Sequence, residues 1–466
     1  MTDDPVDRAV LRRFLLGLAE GMIAAAESVD RISDTMTQVT RSYGRRDSDF
    51  LVLPTAIIVE TGVGEEGRVA IRSAVNVSFR FDQIAALYVL IEQARRGAVD
   101  PAEGIRRLNE IGAMRPRHGW FVRTLGHALL TTGLAVLLTP TWQGALVAFV
   151  LGWFIGLAKL VRSPTLQLVF PVFAAFACGL AVFILAQHVE VGDPVRVLIA
   201  PLATFLPGGA LTTGTVELAA GQMLAGASRL VFGLVQLALL AFGIIAAGTV
   251  VGVASSTYET LEASGTFPWW TAALGVLLFA IGNHLHFSAP PSTFGWVLLT
   301  LVVAYAGQSL GSALIGPTVS GFIGAVAMTP VVLWIASLRN GAPSQLTFLP
   351  AFWLLVPGAA GLVGLTEAVG SSQGVDDFVT ALTSVMSIAL GVLIGTAFYR
   401  VAHHGAQEIA EFHIDVPALA DETAPPLWAR LVPGTPKSFW GRRRADASRT
   451  GRTPAASEPS SQTGES

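Results

Sequence analysis

Between Glu262 and Arg339 the chain runs for 76 consecutive residues without an Asp, Glu, Lys or Arg. A bilayer core is crossed by roughly 20 apolar residues in helical form, so this run alone has room for about three spans. Charges elsewhere are sorted in the same sense. Residues 1–118 carry many, residues 124–400 few, and the segment after Arg400 many again. Over the whole chain 52% of residues are hydrophobic and 14% charged, where a soluble protein would carry about 25% charge. The expected fold class is a polytopic α-helical membrane protein with a small α+β amino-terminal cytoplasmic domain.

The first residues, MTDDPVDRAVLRR, are polar and acidic rather than basic and then apolar. A cleaved secretory signal is therefore not expected, and the amino end is expected in the cytoplasm. Ala9 to Ile32 carries an apolar stripe (Val10, Phe14, Leu15, Leu18, Met22, Ile23) at helical spacing. FLVLPTAIIVE (50–60) and RVAIRSAVNVSF (68–79) predict two strands joined by the turn TGVGEEG. Helical spacing returns over 82–97 and 101–114. Residues 1–118 thus form the soluble domain. The single cysteine, Cys178, lies in an apolar segment and predicts a packed core residue, with no disulfide within one chain.

The apolar block resolves into ten segments near 121–138, 142–160, 165–188, 196–216, 228–254, 268–286, 293–311, 315–338, 347–368 and 378–400. With the amino domain inside, Lys159, Arg162, Arg229, Arg339 and Arg400 all fall on cytoplasmic ends, as do Arg115, Arg117 and Arg123 before the first segment. Glu190, Asp193, Glu259, Glu262, Asp376 and Asp377 fall outside, with Arg196 the one basic exception. The tail, with Arg442, Arg443 and Arg444, returns to the cytoplasm. Beyond Ala445 it is rich in Ser, Thr, Gly and Pro, a composition that predicts disorder.

Within the fourth segment lies PGGALTTGTVE (207–217), and within the ninth lies PGAAGLVGLTE (357–367). Both follow Pro-Gly-x5-Gly-x2-Glu at an offset of 150, and GWF (119–121) matches PWW (268–270) at an offset of 149. The membrane part therefore reads as two five-helix repeats, 119–262 and 263–402, followed by a tail over 403–466. An odd number of spans per repeat makes the second enter from the opposite face, so the repeats are inverted. Matching interrupted helices in inverted repeats mark substrate sites of secondary transporters. Broken backbone survives at membrane depth only against protein or a water-filled cavity, because an unpaired amide in lipid costs several kcal/mol.

Candidate substrate-binding residues are Thr204, Pro207, Gly208, Gly209, Thr212 and Thr213 in the first repeat, with Pro357, Gly358 and Gly364 in the second. Glu217 and Glu367 close the two motifs and admit two readings. Each either ends its span or exchanges a proton at one mouth of an alternating cavity. Asn283, His284 and His286 precede Pro290 and Pro291 and predict an interfacial turn rather than a metal site. No phosphate loop, nucleophile elbow or zinc-protease signature occurs, which argues against an ATP-driven pump or a membrane protease. The amino domain shows no acid, base and nucleophile set, so an anchored enzyme is disfavoured. No cofactor or metal is expected.

The layout of a soluble domain followed by two groups of five spans resembles the threonine/serine exporter family. ESVDRISDTMTQVTRSYG (27–44) is similar to that family's first conserved segment, and FLPAFWLLVPGAAGLVGL (348–365) to its late Pro-Gly segment. This chain keeps Pro357, Gly358 and Gly364 of the late segment and departs between them. The resemblance implies outward transport of small hydroxylated amino acids driven by protons, from a multi-pass protein of the plasma membrane with both termini inside. A dicarboxylate (succinate-like) exporter of the same fold is the alternative. Implied partners are the amino-acid substrate, protons and the lipid bilayer, with no nucleic acid; a homo-oligomer is compatible with this pattern.

Overall fold

The computed structural model describes residues 8–45, 48–61, 68–73, 78–138, 141–161, 164–189, 191–254, 257, 268, 270–355, 362–363, 365–366 and 374–404. The tail beyond 404 and the motif residues Pro357, Gly358, Gly364 and Glu367 lie outside these.

The amino-terminal part is α+β. Helices α1 (Arg8–Ala24) and α2 (Val29–Ser42) come first, then strands β1 (Ser48–Leu53), β2 (Ala56–Thr61) and β3 (Arg68–Ser73). Helices α3 (Phe81–Arg95) and α4 (Pro101–Ala113) complete it. The expected single helical stripe over Ala9–Ile32 is two helices, because the chain reverses at Ala26, which takes a left-handed φ of 61°. The expected strand over 50–60 is likewise a hairpin. Pro54 has no N–H for a ladder, so the chain turns there and β1 pairs antiparallel with β2 from Ser48↔Thr61 to Leu53↔Ala56. β3 adds to β2 as expected, giving the order β1-β2-β3.

Val52, Ile57 and Val59 turn one sheet face onto Phe14, Leu15, Leu18, Ile32, Met36 and Leu87, all buried. Gly104 on α4 is required there, since a Cβ would lie 2.3 Å from the Phe14 ring. Asp100 caps α4 by accepting from the N–H groups of Ala102 and Glu103, with Pro101 at the first helical position.

Helices then occupy every expected apolar segment. They are α5 (Trp120–Leu138), α6 (Trp142–Ala158), α7 (Pro164–Ala186), α8 (Pro194–Leu202), α9 (Gly208–Ala219), α10 (Met223–Val251), α11 (Trp270–His286), α12 (Phe294–Ile315), α13 (Ser320–Ser337), α14 (Ser344–Leu354) and α15 (Gly374–His404). Six of the described helices are long and apolar enough to cross a membrane, and the bent pair α8–α9 makes a seventh. α6 is apolar but shorter. Long exposed apolar side chains such as Phe154, Phe173, Phe232, Phe242 and Phe398 coat these helices, as lipid requires and water forbids.

One crossing organises the membrane part. α5 packs on α11 through Gly126 and Gly133 on one side and Gly275 and Gly282 on the other. A Cβ on Gly133 would lie 2.6 Å from the Gly275 carbonyl oxygen, and one on Gly126 would lie 3.0 Å from that of Gly282. Each pair spans seven residues, and the offset from α5 to α11 is 149 for both glycines. α9 crosses to pack on α14 and α15. Cys178 is buried in α7, within an apolar cluster that also holds Phe205, Leu211 and Leu362.

The amino-terminal core continues into the helical part that follows. Ala225, Ala289 and Leu346 belong to the same cluster as Phe14 and Leu87, with Phe287 and Trp353 packed against it. The Phe81 ring stacks on Phe287 at 5.0 Å, and the Phe81 N–H donates to the Phe287 carbonyl at 3.2 Å.

Candidate functional site

The fourth apolar segment breaks where its sequence demands. Leu206 precedes a proline, which disfavours helical backbone, and it adopts ψ 128°. Pro207 contributes no N–H and becomes the residue before α9, which starts at Gly208. Ala203–Phe205 winds as a single 3₁₀ turn between α8 and α9, and the two arms meet at 69°. A break of this kind frees backbone groups. Gln236 on α10 takes one of them, its Nε2 donating to the Phe205 carbonyl at 2.6 Å.

Thr204, in that turn, is the hub of a polar cluster. The Lys159 ammonium, from the end of α6, donates to Thr204 Oγ1 at 2.7 Å and lies 4.9 Å over the Phe205 ring. His127, fully buried on α5, places Nε2 at 3.1 Å from the same oxygen and Nδ1 at 2.8 Å from the Gly152 carbonyl. A carbonyl can only accept, so Nδ1 carries the ring proton. In the neutral ring Nε2 then accepts the Thr204 hydroxyl hydrogen, which leaves Oγ1 free to accept from Lys159. The order of donation is Lys159 to Thr204 to His127.

Two glycines bring the helices this close. A Cβ on Gly152 would lie 2.0 Å from Thr131 Oγ1, and one on Gly156 would lie 2.8 Å from the His127 Cβ. His286 at the end of α11 meets His127 edge to face at 4.8 Å. Its Nδ1 pairs with the Arg123 carbonyl at 3.0 Å, and Arg123 Nε donates back to the His286 carbonyl at 3.4 Å. The turn expected at 283–286 is instead the last turn of α11, with Asn283 and His286 buried and His284 half-buried.

The remaining sequence-derived residues spread along α9. Pro207 and Gly208 are buried, while a side chain on Gly209 would meet nothing within 4 Å. Thr212 is buried with its hydroxyl unpartnered, and Thr213 is half-buried. From the second motif, Leu362 joins the apolar cluster of Phe205 and Leu211, with Val363 and Leu365 packed against it. Thr366 is buried with its hydroxyl unpartnered.

Glu217 ends α9 away from this hub. It is fully buried, and its two oxygens have separate partners: Arg229 Nε on α10 at 2.9 Å and the Val29 N–H at 3.0 Å. Ser28, at the cap of α2, makes no side-chain capping bond, and Glu217 accepts from the first N–H of that helix instead. Arg229 Nη2 also donates to the Glu27 carbonyl at 3.0 Å.

Sequence reasoning placed Lys159 and Arg229 only as markers of the cytoplasmic side, and it did not single out His127 or Gln236. A basic residue beside an apolar span gives the same local signal whether it faces water or a buried hydroxyl.

A family profile described as "Putative threonine/serine exporter" (ThrE) matches residues 13–251, which cover most of the amino-terminal α+β part, the break and the Glu217–Arg229 pair. A threonine/serine exporter of Corynebacterium glutamicum is 22% identical over 78% of this chain and 78% of its own length. Pheromone-regulated membrane protein 10 of Eremothecium gossypii is 24% identical over 82% of this chain. The same-named protein of Zygosaccharomyces rouxii is 24% identical over 59% of it. The chain spans only 55% and 28% of the lengths of these two fungal relatives. No solved structure matches. The profile takes in just over half of the sequence, and the chain belongs to the threonine/serine exporter family.

Proposed function

We propose that the protein is a secondary transporter that exports small hydroxylated amino acids, threonine and serine, in exchange for protons. The observation that carries this reading is the 69° break between α8 and α9, lined by Thr204, Lys159 and His127. An interrupted helix with polar groups facing protein is what a transport site requires and what a simple anchor would avoid. The family match supplies the substrate class. The substrates in the name of the Corynebacterium relative agree with it.

In this reading ten spans form two inverted five-helix repeats. The reciprocal glycine contacts between α5 and α11 support such a two-fold relation, since each glycine faces the equivalent of its neighbour. Substrate would bind between Thr204, Pro207, Gly208, Gly209, Thr212 and Thr213 and the second Pro-Gly segment at Pro357, Gly358 and Gly364. The shared apolar cluster of Phe205, Leu211 and Leu362 supports their proximity. Glu217 and Glu367 are the proposed proton-exchanging acids. A proton on Glu217 would loosen both Arg229 and the Val29 N–H, tying protonation to movement of α9. Both termini are placed in the cytoplasm of a plasma-membrane protein.

Efflux from proteoliposomes with labelled threonine, serine, alanine and succinate tests this. Threonine and serine should leave at several times the rate of alanine, and collapse of the proton gradient should abolish accumulation against a gradient. Efflux that favours succinate would replace the amino-acid reading with the dicarboxylate one. Flux insensitive to the proton gradient would remove antiport.

A further inference from the structure

We infer that Lys159 is the anchor for a carboxylate, so that the cluster around Thr204 selects substrates by their acid group. This deepens the exporter reading above and rests on it. Lys159, His127 and His286 converge on one buried region between α5, α6, α11 and the break, with Arg123 bonded across it to His286. Among the described residues, none of Lys159, His127 and His286 forms an ion pair with a carboxylate. The partners of Lys159 are a hydroxyl and an aromatic face.

A cation packed against protein is costly unless an anion joins it, and the usual solution is a protein carboxylate. Among the described residues, this cluster offers basic groups and hydroxyls. The arrangement is complete only when an outside molecule brings the negative charge. Every α-amino acid carries one, and a desolvated ammonium–carboxylate contact is among the stronger hydrogen bonds available. Thr204 holds the ammonium in place until then. Its hydroxyl can turn wholly to His127 Nε2 once the carboxylate takes over Lys159. Thr212, buried with its hydroxyl unpartnered, adds a second polar group to the same broken segment. The geometry thus assigns recognition of the acid to Lys159 and leaves side-chain selection to the rest of the break.

The test compares L-threonine with L-threoninamide, in which the carboxylate is a neutral amide, on full-length protein in proteoliposomes. Wild type should prefer threonine by tenfold or more, about what one charge-assisted contact supplies. Lys159→Gln should raise the KM for threonine about tenfold and that for threoninamide far less, erasing the preference. Lys159→Arg should keep part of it. An unchanged preference in folded Lys159→Gln protein, judged by its melting curve, overturns the proposal.

Thermal stabilisation in detergent separates this from failure of the exporter reading. If neither amino acid is transported, yet succinate raises the wild-type Tm and not that of Lys159→Gln, the carboxylate site stands and the threonine reading falls. If no carboxylate stabilises or crosses, both fall. Should Lys159→Gln not fold, Thr204→Val removes the hydroxyl that positions the ammonium and should show the same loss of preference. A preference equal to wild type would count against the site.

Discussion

Thr204 connects two basic side chains through one hydroxyl, and its replacement is correspondingly informative. Valine has nearly the same shape but cannot accept from Lys159 or donate to His127. Each orphaned group costs about 1–3 kcal/mol when buried, so Thr204→Val should lower Tm and transport together. Thr204→Ser should restore both. Equal melting curves for the two variants would mean that solvent already satisfies these groups. Gly209 gives the complementary probe, because a side chain there enters open space. Gly209→Ala should be tolerated, with about 0.5–1 kcal/mol gained from helix propensity. Gly209→Trp should preserve folding while stopping efflux, if the opening beside the break is the path. The break between Thr204 and Gly209 was legible in the sequence, because the missing N–H of Pro207 announces it. His127 and Lys159 were not, since α5 and α6 bring them to the break from distant parts of the chain.

At the scale of elements, the apolar runs marked where helices form, and six described helices, seven with the bent pair, are long and apolar enough to cross a membrane. The soluble strands were less legible. Apolar residues run through both β1 (FLVL) and β2 (AIIV), and only Pro54 marks the turn between them. Which membrane helices would touch was not legible, since an apolar run with scattered glycines does not name its partner. Their crossing rests on glycine, and that makes it testable. A Cβ on Gly282 would sit 2.1 Å from the Leu130 backbone nitrogen, a contact that only helix displacement relieves. Gly282→Val should therefore cost several kcal/mol or abolish folding, as overpacked cores do. A methyl group on Gly295 of α12 would meet nothing within 4 Å, and Gly295→Ala should be neutral or slightly stabilising. Fluorescence-detected size exclusion after heating ranks the two. Similar losses would show that helix propensity, rather than close approach, governs both sites.

Across the whole molecule, the amino-terminal α+β part is tied to the helical part at two places. Glu217 and Arg229 hold the start of α2 to α9 and α10, while Phe81 stacks on Phe287 at the end of α11, beside Trp353 of α14. The first tie is a buried ion pair, in which Glu217 has no exposure and Arg229 15%. Such a pair contributes modest net stability, but removing one partner strands the other charge and costs about 3–5 kcal/mol. Arg229→Gln should therefore destabilise strongly. Adding Glu217→Gln should recover part of the loss, because no buried charge is then left alone. The readout must separate docking from global unfolding. Arg115 and Arg117 are exposed in the connection between α4 and α5, so brief trypsin treatment can cut the domain free. After cutting, wild-type domain should co-elute with the membrane part on size exclusion, held by both ties. The Arg229→Gln domain should separate, and the double variant should co-elute in part. If all three co-elute equally, the aromatic contact at Phe287 carries the docking, and Glu217 is free to serve transport alone.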